Sequence, residues 1–133
     1  MAIIPTIRCS NMKASVAFYT GILDFRRTDA DDLTDPAHVS LRRAGDVIFL
    51  SSHGGDGVFG QHITVITEDV DALFRKFIAR GLVPPDRDSP IHHGPTEQTW
   101  GTREFMVESS WYAPCSLNNR SLYGAKKEQP GTY

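Results

Sequence analysis

Three groups of residues in this 133-residue chain have types and spacing that invite a chemical reading. Ser51-Ser52-His53 places a hydroxyl close to an imidazole, as a nucleophile and its base would be. Adjacent residues of a strand face opposite ways, however, and no acid stands where it would orient the base, so the triplet reads as a polar strand end entering a turn. Asp29, Asp31, Asp32 and Asp35 crowd one loop, but they lack the glycine and terminal glutamate of a calcium loop and read as a solvated turn. Cys9 and Cys115 match no metal-binding spacing, and nothing beside Cys9 would activate it, so both read as free thiols. No catalytic residue is expected from these groups.

The elements that position such residues are organised as an internal repeat. Ile3 to Cys9 reads as a strand, after which Asn11 caps a helix carrying Met12, Val16 and Tyr19 at i, i+4 and i+7, with Gly21 as the stop. About sixty residues later the order recurs. His62 to Thr67 is a strand, Asp69 a cap, and Val70, Leu73, Phe74, Phe77 and Ile78 form the apolar stripe of a helix ended by Gly81. Between the copies come strands at Phe25 to Thr28, His38 to Arg43 and Asp46 to Ser52, the last two joined by the turn Arg43-Ala44-Gly45-Asp46. In the second copy Leu82-Val83 begins a short strand, Pro84 to Gln98 is a loop, and Gly101 to Val107 is a strand. One α+β domain is predicted over 1–133: module one at 1–53, a linker at 54–60, module two at 61–118 and a polar tail at 119–133.

Strand alternation separates two faces. Val39 and Leu41, Ile48 and Leu50, Ile63 and Val65, and Phe105 and Val107 are apolar sets suited to lie under the helices. The opposite faces are mixed: Ile4, Thr6 and Arg8; His38, Ser40 and Arg42; Val47, Phe49 and Ser51; His62, Thr64 and Ile66; Thr102, Glu104 and Met106. A few polar groups among apolar ones is the composition of a ligand pocket, and Phe49, Ile66 and Met106 would be wasted in water.

Composition narrows the function classes. Forty per cent of residues are hydrophobic and the formal charge is -2, with no basic run longer than a pair, as at Arg26-Arg27, Arg42-Arg43 and Lys126-Lys127. Disorder and nucleic-acid binding are therefore disfavoured. No apolar run is long enough to span a bilayer and the first residues carry no signal-peptide pattern, so no membrane association and a cytoplasmic location are expected.

Several segments carry a family resemblance: Ser15-Val16-Ala17-Phe18-Tyr19 with Gly21-Ile22-Leu23-Asp24-Phe25, then Asp46 to Leu50, Val70-Asp71-Ala72-Leu73 ahead of Gly81, and Trp100-Gly101-Thr102-Arg103-Glu104-Phe105. In order and spacing, over residues 3 to 107, the chain resembles the vicinal oxygen chelate superfamily and, within it, the glyoxalase/bleomycin-resistance-like proteins. The resemblance implies paired β-α-β-β-β modules whose curved, mostly antiparallel sheet surrounds a cavity, and a homodimer. It also implies four metal-ligand positions, one per strand. They fall on Ile4, Phe49, His62 and a residue near Ser116, so only His62 is a donor and no metal or other cofactor is expected. His38, His53, His92 and His93 are the only compensating imidazoles, and the neighbours His92-His93 rarely converge on one ion.

What remains is a binding reading. The resemblance places Trp100 where the bleomycin-resistance branch flanks a groove for a flat cationic antibiotic. There it stacks on a ligand or closes the barrel mouth as a core aromatic. Glu104 pairs with a ligand cation or internally, with Arg8 or Arg42. The expected ligand-binding set is Phe49, His62, Trp100, Glu104, Arg8 and His38, with Trp100, Phe49, His62 and Glu104 converging on one volume. The function expected is metal-independent sequestration of an aromatic or cationic compound. The alternative is a metal-dependent lyase, isomerase or dioxygenase with relocated ligands. After Glu108 the chain departs from its relatives: Ser109 to Arg120 reads as unrelated sequence in place of the last strand, with Tyr112 to Leu117 able to improvise an edge strand despite Pro114.

Overall fold

Helix starts follow from single side chains. Asn11 leaves the helical conformation and its Oδ1 accepts the Ala14 N–H at 3.0 Å, opening α1 (Met12–Gly21); Asp69 does the same for the Ala72 N–H at 2.9 Å, opening α2 (Val70–Ala79). Each cap satisfies an N–H that the helix itself cannot, which is why both segments begin where the sequence predicts. Gly81, at φ +104, takes the left-handed conformation just beyond α2.

The computed structural model describes residues 1–28, 37–57, 61–84 and 88–108, and the backbone of 120–126. The strands are β1 (Thr6–Arg8), β2 (Arg26–Arg27), β3 (His38–Arg43), β4 (Asp46–Ser51), β5 (His62–Ile66), β6 (Thr96–Glu97), β7 (Thr102–Glu108) and β8 (Arg120–Lys126). They form two four-stranded sheets, β1-β4-β3-β2 and β5-β8-β7-β6. In both, the first strand of the unit runs parallel to the last and the other pairs are antiparallel, so the duplication expected from the sequence is present in the hydrogen-bonded topology. The chain divides into two compact units, one built on residues 1–61 and the other on 62–108 with β8.

In the first unit Ile7, Val39, Leu41, Ile48 and Leu50 are buried together with Met12, Phe18 and Tyr19 of α1 and with Phe25, whose ring meets Tyr19 edge-on at 5.5 Å. In the second, Phe105 lies 5.1 Å from Phe74 and 6.0 Å from Phe77, with Val107 and Leu73 also buried. Full burial of one such side chain contributes about 2 kcal/mol.

Three sequence expectations are corrected. Leu82-Val83 is not a strand: the Leu82 N–H donates to the Phe77 carbonyl at 2.9 Å and its side chain is buried, so the pair completes the end of α2. The strand of that region is β6, at Thr96–Glu97, inside the stretch read as loop; it is held by β7 and has no apolar alternation to announce it. The last strand is not lost: β8 lies at 120–126, within the segment read as a polar tail, and pairs with β5 and β7 of the second unit. Flanked by β5 and β7, β8 is templated from both sides and needs little β-propensity of its own. Asp29, Asp31, Asp32, Asp35, Cys115 and Tyr112 to Leu117 lie outside the described residues. No helix among the described residues is long and apolar enough to cross a membrane.

One ion pair ties α2 to β7. Arg103 Nε and Nη2 donate to the two carboxylate oxygens of Asp71, each at 2.8 Å. The Arg103 hydrogen bonds hold the Asp71 carboxyl below its ordinary 3.8 and raise the guanidinium. A lowered carboxyl pKa contributes stability above its unfolded value and loses it as pH falls through the folded one. Both side chains are more than a third exposed, so the contribution is screened. Asp71→Asn should therefore lower stability by roughly 0.5 kcal/mol at neutral pH, with the gap from wild type closing in acid below the unfolded carboxyl value, as read from urea midpoints across that range.

Candidate functional site

Each sheet keeps one face for its helix, and the opposite face carries the polar side chains. In the first unit the register aligns that face in rows. Arg26, Arg42 and Val47 lie side by side; Ser40, Phe49 and Thr6 form the next row; His38, Ser51 and Arg8 the third. Phe49 is half-buried mid-strand, and the His38 ring meets it edge-on at 4.8 Å. Arg8 Nη1 donates to the Gly54 carbonyl at 3.0 Å, and its backbone N–H donates to Gln61 Oε1 at 3.3 Å. Gly57, at φ +70, makes room for that Gln61 side chain, since a Cβ there would overlap it. Ser51, fully buried, donates from Oγ to Asp56 Oδ2 at 2.8 Å and accepts the His53 backbone N–H at 3.2 Å. That is the polar strand end and turn expected from the triplet. Arg8, His38 and Phe49 thus share one face, as expected.

In the second unit the turn Gln98–Gly101 joins β6 to β7. It is closed by the Gln98 N–H on the Thr102 carbonyl at 2.7 Å and by the Gly101 N–H on the Gln98 carbonyl at 3.2 Å. Gly101 takes φ +88, open to glycine at little cost. The turn returns Trp100 over β7, where its indole Nε1 donates to Glu104 Oε1 at 3.2 Å, and Thr102 Oγ1 donates to the same oxygen at 2.7 Å. Glu104 is 6% exposed while Trp100 is 67% exposed. The Trp100 indole is anchored at its edge and offers its surface to solvent rather than packing into the core of its own unit. Glu104 is held by neighbours in its own unit, and Oε1 is a charge-assisted acceptor for both donors.

His62 opens β5 and is exposed, as are Thr64 and Ile66. Across β8, the register sets Ile66 level with Glu104 and His62 level with Glu108, so the set expected on this face is on it. Sequence reasoning missed Thr102 as a support of Glu104, although both are on the mixed face and two residues apart. It also missed His92 Nε2, which the turn Pro90–His92 brings within 3.4 Å of Oε1 of the buried Glu108 at the end of β7. One more step of the alternation, from Met106 to Glu108, would have found the carboxylate; the approach of His92 depends on the loop.

The metal positions implied by the resemblance are testable within each unit. Thr6 pairs with Phe49, so Ile4 stands two residues before the partner of Phe49; likewise His62 stands two residues before Thr64, which pairs with Leu122. The repeated register makes Leu122 the counterpart of Phe49 in the second unit, and Ser116 lies outside the described residues. The first unit offers Ile4 and Phe49, the second His62 and Leu122, and the donor set does not fit a divalent cation, which needs about three protein ligands. No cluster of three or more His, Cys, Asp or Glu side chains occurs among the described residues.

Comparison with known proteins agrees with this architecture. No curated protein matches the chain. Among solved structures, TioX from Micromonospora sp. ML1 superposes with a TM-score of 0.70 at 15% identity, covering 95% of this chain and 98% of its own. A bleomycin-binding protein complexed with bleomycin gives 0.64 at 14% identity, over 97% and 99% of the two chains. Lactoylglutathione lyase from Agrobacterium tumefaciens gives 0.68 at 12% identity, over 94% and 92%. At these identities the likeness is one of fold. The family model described as Glyoxalase/Bleomycin resistance protein/Dioxygenase superfamily matches residues 4–113. By that match and its repeated β-α-β-β-β topology, the chain belongs to the glyoxalase/bleomycin resistance protein/dioxygenase superfamily.

Proposed function

We propose that this protein binds and sequesters a small flat compound, aromatic or cationic, without a metal ion. The observation that carries the reading is the Trp100–Glu104 pair: a two-thirds-exposed indole held in place by a buried carboxylate. An anchored aromatic surface presents stacking area at little entropic cost, and a cation over its face gains about 0.5 to 2 kcal/mol. The adjacent carboxylate adds attraction for positive charge, and its hydrogen bond draws electron density toward the ring. Exposed Ile66, level with Glu104 on the sheet, adds apolar area beside them. The bleomycin-binding neighbour shares the fold and supports the class of function.

The second reading, a metal-dependent lyase, isomerase or dioxygenase, has the lyase neighbour in its favour and the donor set against it. Carbon at Ile4, Phe49 and Leu122 leaves His62 without the companions such chemistry requires. On the binding reading, ligand capture also needs the exposed strand faces to be kept from aggregation, and a homodimer is the arrangement proposed here.

Three outcomes follow. In a Trp111→Phe background, which removes the second of the chain's two indoles, a planar cationic dye should quench the Trp100 emission on binding, and Trp100→Ala should abolish its binding while leaving the unfolding midpoint nearly unchanged; unfolding by that substitution would count against the site. Protein purified without chelator should contain far less than one equivalent of Zn, Ni, Fe or Mn by elemental analysis, and chelator should not alter its melting. Light scattering should give about twice the 14.8 kDa of one chain, and a monomer mass would refute the dimer.

A further inference from the structure

Arg26 and Arg42 are directly opposite one another on antiparallel β2 and β3, on the same face as Phe49. Both are exposed, and neither makes an ion pair among the described residues. Two like charges facing across neighbouring strands destabilise a sheet, because their Cβ atoms are only about 5 Å apart. The strand residues of this face offer no relief. Thr6, Arg8, Ser40, Val47, Phe49, Ser51 and His38 include no carboxylate, and Asp56, the acid nearest its far row, is committed to Ser51. Among the described residues the two guanidinium groups of Arg26 and Arg42 therefore have no carboxylate partner, beside an apolar floor made by Val47 and Phe49.

We infer that the mixed face of the first sheet takes the acidic group of a flat organic anion, with Arg26 and Arg42 gripping its carboxylate, phosphate or sulfonate and the planar body lying over Phe49. Two guanidinium forks converging on one oxyanion match its geometry and remove their mutual repulsion in the same step. The edge-on His38 ring braces Phe49 and leaves its orientation set before the ligand arrives. The occupant is a small anion rather than a second copy of the chain because what the face lacks is compact negative charge beside aromatic area, and the chain's own net charge of -2 leaves no large acidic excess to cover it. This inference rests on the reading of the chain as a small-molecule binding protein, but on residues separate from Trp100 and Glu104.

The test compares two fluorescent probes of one shape, 8-anilinonaphthalene-1-sulfonate and the neutral N-phenyl-1-naphthylamine, on the full chain. Wild type should prefer the sulfonate, and the preference should fade with added salt. Arg26→Gln and Arg42→Gln should each weaken sulfonate binding about fivefold and leave the neutral probe unchanged. Equal binding of both probes, or equal losses for both in the variants, overturns the anion assignment while leaving the binding reading intact. A change in light-scattering mass without a change in probe affinity overturns it in favour of a second copy as the occupant. Failure of both probes to bind, with a planar cationic dye still bound through Trp100, overturns the assignment alone; failure of all three defeats the binding reading with it.

Discussion

The packing of Phe105 against Phe74 and Phe77 is the contact on which the second unit depends. It fixes which face of β7 looks at α2, and because side chains alternate, it fixes in the same stroke that Glu104 and Met106 look the other way. A slip of one residue would trade a fully buried phenylalanine for a glutamate under the helix, at a cost of several kcal/mol. The bidentate Arg103–Asp71 pair, on the helix side of the same strand, reinforces that register without having to supply much stability. The position of Glu104 is thus a consequence of hydrophobic packing one residue away, and the Trp100 indole is positioned in turn by Glu104.

The two units apply one topology to different chemistry. In each, a first strand runs parallel to the last and leaves one face free of the helix. The described side chains of that face include Arg8, Arg26, Arg42, His38 and Phe49 in the first unit, and Glu104 and Glu108 along β7 in the second. Of the metal positions implied by the resemblance, Ile4 and Phe49 carry carbon side chains, which can stack or pack but not coordinate. A binding protein and a metalloenzyme can share this scaffold because the strands set where side chains point and leave their identity free.

Much of the fold was legible in the residues themselves. Asn11 and Asp69 mark helix starts because a short side-chain acceptor satisfies a local N–H, and the apolar alternation of His38–Arg43 and Asp46–Ser51 marks strands because one face of each is buried. The sixty-residue repeat, the family and the shared face of Arg8, His38 and Phe49 follow from such local signals. So does the neighbourhood of Trp100 and Glu104, four residues apart across a glycine turn.

Tertiary structure decided what depends on partners distant in sequence. Strands β6 and β8 exist because β7 and β5 offer them hydrogen bonds, and no pattern within Thr96–Glu97 or Arg120–Lys126 encodes that offer. Leu122 becomes the counterpart of Phe49 only through its register with Thr64, a pairing across more than fifty residues. The exposure of the Trp100 indole and the opposition of Arg26 to Arg42 likewise arise from turn geometry and strand pairing. Residue types and local periodicity determine which elements form and which face of each is apolar, since those preferences act over a few residues. Which side chains then meet is decided by long-range pairing, because a hydrogen-bonded register is a relation between segments and neither segment carries it alone.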